Sequence, residues 1–252
     1  MSERAVSEVV SYVLVFALVV SAVGIISVSG LSTLQDTRND EQMENAERAF
    51  DVLANNLADV HRRDAPSRAT EISLGEARMA TADNVTMRVN VTESSGTWHS
   101  ESWQIRPLVY TGDDDRKLVY EAGAVFRTAS GGGVRVTDPP FVVSEDRVLV
   151  SVVGLNRPDR QALGGSTVLV RGRNRGTTLA YDNTAGDVER LNVSLRGTPR
   201  TDLWRAYFEE AGFEDCRNLS DGISCAYYGE SPSRTIDQVY VVHHDIAVDI
   251  ES

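Results

Sequence analysis

The tripeptide His243-His244-Asp245 comes closer than any other segment of this chain to a catalytic or metal-binding group. An imidazole beside a carboxylate can transfer protons or bind a metal ion. Neighbouring residues of a strand, however, point to opposite faces of the sheet. His243 and Asp245 are therefore expected on the solvent face, whereas His244 faces inward with Val242, Ile246 and Val248. We predict a core role for His244 rather than chemistry.

Three other polar segments have the residue types of a binding site. The carboxylates of Asp113–Asp115, after Gly112, are of the kind that binds hard cations, and Asp182-Asn183 with Gly186-Asp187 is similar. Both lie between predicted strands, where solvated turns are expected. The basic segment 171–176 is expected at a hairpin tip, where it could bind an acidic neighbour or a glycan. The sequence has no nucleophile elbow, phosphate loop or metal-binding helix motif. It predicts no enzyme, no metal and no cofactor.

Composition narrows the possible partners and the setting. The net charge of −12 argues against nucleic acid as a partner, because phosphate binding needs a basic surface. Lys117 is the only lysine, and all other basic residues are arginine. Few lysines and many carboxylates are typical of halophile proteins, whose surface charges are strongly screened by salt. A high-GC genome that favours arginine codons is the alternative explanation.

An uncharged run from Val9 to Gln35 predicts a membrane helix. At about 1.5 Å per residue it is long enough to cross a hydrocarbon core of about 30 Å. It is too long for the apolar core of a secretory signal peptide. Acidic side chains crowd the segment 36–51 that follows, and they favour the outside only weakly. We expect a single-pass membrane protein with its large C-terminal part outside the cell.

The segment Arg4-Ala5-Val6-Ser7-Glu8-Val9-Val10 resembles the start of archaeal type IV pilins, especially those of halophiles. In that family a charged leader is removed before the apolar helix. The resemblance implies cleavage between Ala5 and Val6, after Arg4, by a prepilin-type peptidase. It also implies that Glu8 pairs with the N-terminal amine of an adjacent subunit during assembly. The partners would then be membrane lipid and other pilin subunits, bound through the N-terminal helix. An ordinary single-pass anchor is the alternative.

The resulting domain prediction has four parts: a leader over 1–5, a transmembrane and assembly helix over 6–31, an amphipathic stem helix over 32–65 and an extracellular β-rich domain over 66–252. The stem is predicted from apolar residues that recur at steps of three and four. These residues are Met43, Ala46, Phe50, Leu53, Leu57 and Val60. Gly30 and Ser32-Thr33 could bend the helix where the two helical parts join.

Beyond Pro66 the pattern changes to the period of two that marks strands. The predicted strands lie at 85–92, 103–109, 118–120, 124–128, 147–153, 167–171, 191–196 and 238–250. A helix interrupts them near Leu203, with Thr201 as its cap and Gly212 at its end. The fold class predicted is α+β: an N-terminal membrane helix and stem, then a mainly antiparallel sandwich- or barrel-like domain with one short helix.

Two kinds of covalent modification are expected in an exported domain. Cys216 and Cys225 suit a disulfide, although a reduced pair or half of a metal site remains open. A zinc site would need about four ligands, and no further cysteine exists. Four Asn-x-Ser/Thr sequons are candidate glycosylation sites: Asn84, Asn90, Asn192 and Asn218. Strand alternation puts three of these asparagines on the polar face, though chance occurrence is the alternative.

The functional prediction is a type IV pilin-like subunit, specialised or minor, of a cell-surface filament or a secretion-type pseudopilus. Its role would be surface structure or adhesion. The alternatives are a permanently anchored surface domain that binds a ligand, and an anchored exoenzyme, which the absence of a catalytic motif disfavours.

Overall fold

The computed structural model describes residues 3–112, 114–156, 167–229 and 235–251. Asp113, one of the three consecutive aspartates considered above, lies outside the described residues. The chain divides into two compact units, Met1–Glu44 and Asn45–Ser252. The described part of the first unit consists entirely of helix α1, which runs from Glu3 to Arg62.

The part of α1 that belongs to the second unit is the stem, Asn45–Arg62. The predicted apolar stripe is confirmed, because Ala46, Phe50, Leu53, Leu57 and Val60 are all buried. Asp64 then adopts a φ of 53°, and the Ala65 N–H donates to the Asp59 carbonyl at 3.2 Å. This left-handed residue turns the chain out of the helix ahead of Pro66.

Fifteen strands in the described residues form three sheets, and the predicted fold class is confirmed. The first sheet contains β1 (Ser67–Ser73), β9 (Val142–Val143), β10 (Arg147–Asn156), β11 (Thr167–Asn183) and β15 (Gln238–Glu251). The second contains β3 (Val85–Glu93), β4 (Trp98–Ile105), β12 (Val188–Arg196), β13 (Glu214–Leu219) and β14 (Gly222–Tyr227). The third contains β2 (Arg78–Thr81), β5 (Leu108–Thr111), β6 (Lys117–Glu121), β7 (Ala124–Ala129) and β8 (Gly132–Thr137).

The strand orders are β1-β11-β15-β10-β9, β13-β14-β12-β3-β4 and β2-β5-β6-β7-β8. Only β10 and β15 pair in parallel; every other pairing between the described strands is antiparallel. The third sheet is a meander, whereas the first joins strands far apart in sequence. Helix α2 (Thr201–Glu210) contributes Trp204, Tyr207 and Phe208 to the main core.

β15 is buried on both faces. Val239 and Val241 belong to the main core, which the first and second sheets share. On the opposite face Ile246 lies beside Gly172 of β11 and Leu57 of the stem. A Cβ atom at Gly172 would lie 2.5 Å from Leu57 Cδ2, so any larger residue here would force the Leu57 side chain to shift. The stem therefore covers a second core on the outer face of the first sheet.

Three local predictions were wrong. The predicted strand 103–109 is two strands, because Pro107 has no N–H for a ladder and the chain passes there from the second sheet to the third. Thr201 does not cap α2: the N-cap is Arg200, without a side-chain cap, while Thr198 Oγ1 accepts the Arg200 N–H at 3.2 Å. Gly212, with a φ of 85°, does end the helix.

The third error concerns the basic segment 171–176, which is not a hairpin tip. It lies inside β11, a strand of 17 residues that pairs with β15 between Leu169 and Asn183, past two register irregularities. Its arginines were read as loop residues because their strand-forming partners lie some seventy positions further along the chain.

Candidate functional site

The first unit presents an apolar helix that nothing covers. Large side chains from Val10 to Leu34 are more than half exposed all round α1, and Tyr12 reaches 75%. Apolar surface in water is unfavourable by about 25 cal/mol per Å². Among the described residues this is also the one helix long and apolar enough to cross a membrane. By length and composition this helix is capable of spanning a membrane or of serving as a signal.

Two hydroxyls near the end of the apolar part of this helix are satisfied internally. Those of Thr33 and Thr37 donate to the carbonyls of Ser29 and Thr33, both at 2.9 Å. Such bonds to the preceding turn remove the cost of a free hydroxyl in lipid.

The described residues of the predicted leader, 3–5, belong to the first turn of α1. Arg4, Ala5, Val6 and Glu8 have helical backbone, but their side chains lie outside those that the structure describes. Cleavage between Ala5 and Val6 and the assembly role of Glu8 both stay predictions.

Cys216 and Cys225 form a disulfide between the neighbouring strands β13 and β14. Cys225 is buried in the main core, and the carbonyl of Cys216 accepts a hydrogen bond from Arg205 of α2 at 3.2 Å. The described residues contain no group of three or more His, Cys, Asp or Glu that could hold a metal ion. A disulfide is typical of an oxidising, extracellular environment.

The four sequon asparagines differ in accessibility. Asn84 and Asn218 are exposed, whereas Asn90 and Asn192 are half-buried and face each other across β3 and β12. The Asn192 amide nitrogen donates to the Cys225 carbonyl at 3.0 Å. A glycan would replace one of the two hydrogens on that nitrogen, so a sugar at Asn192 would have to fit beside this half-buried contact. Asn84 and Asn218 instead use their amide oxygens, which accept from Arg106 and Arg205.

The histidines of the 243–245 segment do not form one site. His243 stacks on Trp103 with 5.5 Å between ring centroids, and it is partly buried rather than on the open solvent face that we predicted. Asp245 lies 3.7 Å from Arg175. His244 points inward as predicted, and its Nδ1 lies 3.0 Å from Thr177 Oγ1.

His244 has a partner that the sequence analysis missed. His61, in the last turn of the stem, packs against it with 5.0 Å between ring centroids. Burial, repulsion between the two rings and Arg62 lower the pKa of His61 to about 3. Burial, His243 and Arg62 lower the pKa of His244 to about 4. Position 61 follows Leu57 by four residues, a spacing that would have placed it on the buried stripe.

The basic stripe of β11 already has its acidic neighbour, which is β15. Arg171 lies 4.0 Å from Glu251, Arg175 lies 3.7 Å from Asp245, and Arg173 is paired with Asp249. These cross-strand ion pairs are partly exposed, so each contributes little to stability. They do neutralise the stripe, which leaves it poorly suited to bind an external anion.

Glu121 is a fully buried carboxylate that sequence analysis did not single out. It accepts hydrogen bonds from Thr198 Oγ1 at 2.9 Å and from Trp204 Nε1 at 2.6 Å, and it forms an ion pair with Arg200. All of its partners are protein donors at the start of α2. The arrangement fastens α2 to the end of β6 and offers no open position for a substrate.

The chain belongs to the DUF7289 family, a family of unknown function whose model matches residues 4–249. The match thus covers the apolar helix, the stem and nearly all of the β domain. Comparison with curated proteins and with solved structures gives no match for the chain.

Proposed function

We propose that this member of the family is a type IV pilin-like subunit. In this proposal the apolar part of α1 first anchors the chain in the membrane. After removal of the leader, the helix packs beside the same helix of other subunits in a surface filament, with the β domain outside the cell. The observation that carries the proposal is the apolar helix from Val10 to Leu34, exposed on every side and followed by a β domain.

Small residues on this helix support packing against a second copy. Ala17, Ser21 and Gly24 recur at steps of four and three, which places them on one face of the helix. A Cβ atom at Gly24 would meet nothing within 4 Å. Small residues allow neighbouring helices in a membrane to approach closely, and this face is open to such an approach.

Two features of the β domain support an outside location. The disulfide Cys216–Cys225 is expected to persist in an oxidising environment. Two sequon asparagines, Asn84 and Asn218, are exposed in positions where a glycan can be attached. We further propose that the domain is a structural or binding module rather than an enzyme. This is supported by His244, which points inward to Thr177, away from the cavity that His243 and Asp245 line, so the three side chains do not converge.

The N-terminus of the mature protein tests the proposal most directly. Mass spectrometry of membrane and shed-filament fractions should find a chain that begins at Val6. A chain that keeps Met1, or one that begins after about Gly30, would contradict processing of the pilin type.

Assembly is tested by Glu8→Ala, with Glu41→Ala as the matched control on an exposed part of the same helix. Glu8→Ala should leave the protein in the membrane and lower its filament fraction, because the N-terminal ammonium group of the adjacent subunit would lose its charge partner in an apolar interface. Glu41→Ala should leave both fractions unchanged. Wild-type protein found only as a processed or unprocessed membrane monomer would favour the permanently anchored alternative.

A further inference from the structure

A cleft of about 340 Å³ lies between the first and second sheets beside the edge strand β4. Its apolar floor is built by Val89 and Val91 of β3, Ala180 of β11 and Val241 of β15. The three valines also belong to the main core. The cleft is therefore a gap where the core between two sheets is open at one edge, and its volume lies at the small end of the usual range for small-molecule sites.

The inner face of β4 supplies a carboxylate to this cleft. The register places His99 opposite Val91 and Glu101 opposite Val89, so both side chains lie on the same face of the second sheet as those valines. Glu101 is exposed, and within the described part of the chain it has no hydrogen bond or ion pair. None of the described residues that line the cleft is a lysine or an arginine. The lining thus provides no counter-ion for the Glu101 charge.

An aromatic pair forms one wall of the cleft. The rings of His99 and Tyr181 lie 4.9 Å apart. The Tyr181 hydroxyl donates to Glu93 at 2.9 Å, and this bond is the first of the causes that hold the pKa of Glu93 below its usual range. The Glu93 carboxylate therefore stays charged beside this wall. The Tyr181 ring is held in place before any ligand binds, which lowers the entropic cost of binding, and the face of such a ring attracts cations.

These features select the charge of a ligand. An anion would be repelled by Glu93 and Glu101. A neutral hydrocarbon could cover the valines, but it would displace water from Glu101 without replacing the hydrogen bonds, which is costly. An organic ammonium ion suits both parts of the cleft, because its N–H groups donate to a carboxylate and its hydrocarbon part covers an apolar floor.

We propose that this cleft binds an organic ammonium ion. The N–H groups of the ligand donate to Glu101, its hydrocarbon part lies on the valine floor, and the Tyr181 ring borders its charged end. The proposal concerns the second unit alone and holds whether or not α1 assembles into a filament.

The test follows the histidine signals of the full chain in an uncharged detergent by nuclear magnetic resonance. The chain has four histidines, so labelling of imidazole Cε1 with ¹³C gives four signals, and His99→Gln identifies that of His99. The probes are butylammonium, 1-butanol and butyrate, which are similar in length and differ in charge. Butylammonium should shift the His99 signal at millimolar concentration and leave those of His61 and His244 in place, and the other probes should bind at least about tenfold more weakly. No binding of butylammonium, or equal binding of 1-butanol, would overturn the proposal.

Variants locate the ammonium group in this cleft. Glu101→Gln keeps the shape of the side chain and removes its charge, so the dissociation constant of butylammonium should rise about tenfold. Glu71→Gln removes the same charge from an exposed position on β1 and should bind like the wild type. Unchanged signals of His61 and His244 show that each variant is folded. Equal affinity of Glu101→Gln and wild type would refute the assignment.

Discussion

Lowering the pH should destabilise the second unit through the His61–His244 pair. Both rings are buried, and their pKa values of about 3 and about 4 lie below the 6.5 of an unperturbed histidine. The unfolded chain therefore binds protons below pH 6.5 that the folded chain does not. Stability is fully present above pH 6.5 and is lost as the pH falls toward 4 for His244 and toward 3 for His61.

The size of this effect follows from the linkage between proton binding and folding. At pH 5.5, one unit below the unfolded pKa, each neutral histidine lowers the free energy of unfolding by about 1.4 kcal/mol. The pair together lowers it by about 3 kcal/mol relative to pH 7.5. Burial is the first cause of both shifts, and desolvation is little affected by ions, so the loss should persist at molar salt.

The assay is urea unfolding of the full chain in detergent at pH 7.5 and 5.5, followed by tryptophan fluorescence. The double variant His61→Gln/His244→Gln removes both titrating groups. Between pH 7.5 and 5.5 its free energy of unfolding should therefore fall by about 3 kcal/mol less than that of the wild type. His99→Gln changes a half-exposed histidine on β4 and should follow the wild type. Equal pH dependence of the double variant and wild type would refute the neutral buried pair.

Two further predictions concern a buried carboxylate and the sequons. Glu121→Gln breaks a buried ion pair and leaves Arg200 uncompensated, so it should cost about 3–5 kcal/mol in thermal or urea unfolding, whereas the exposed Glu71→Gln should cost nothing measurable. If the protein is glycosylated, Asn84→Gln or Asn218→Gln should remove a glycan mass from the intact protein, because both asparagines are exposed. Asn192→Gln should leave the glycan mass unchanged. A glycan found on Asn192 would contradict the inference that its half-buried position excludes a sugar.

Local periodicity predicted the strands and helices that bury one face against a sheet or a core. The alternation from Val85 to Val91 became β3, and the stripe from Ala46 to Val60 became the buried face of the stem. In both cases the side-chain period alone decides which face is buried. The exposed apolar helix was equally visible, because length and lack of charge are enough to identify it.

Features that depend on distant partners were not predictable in this way. Glu121 follows an apolar run and looks like a turn residue, yet the donors that make its burial possible are Thr198, Arg200 and Trp204. The arginines of β11 were predicted to lie at a hairpin tip, because the carboxylates of β15 that pair with them are distant in sequence.

The two parts of helix α1 have different surroundings. This explains why its sequence changes from apolar on every side to an apolar stripe on one side, although the helix itself is continuous. Large side chains from Val10 to Leu34 are mostly exposed, whereas Phe50, Leu53 and Leu57 are at most 1% exposed. The stem covers the outer face of β15, where His244 and Ile246 lie, while Val239 and Val241 fill the main core on the other face. The stem is thus part of the β domain's own packing.

A soluble fragment that begins after Pro66 would expose this face of the first sheet, whereas one that begins at Asn45 keeps it covered.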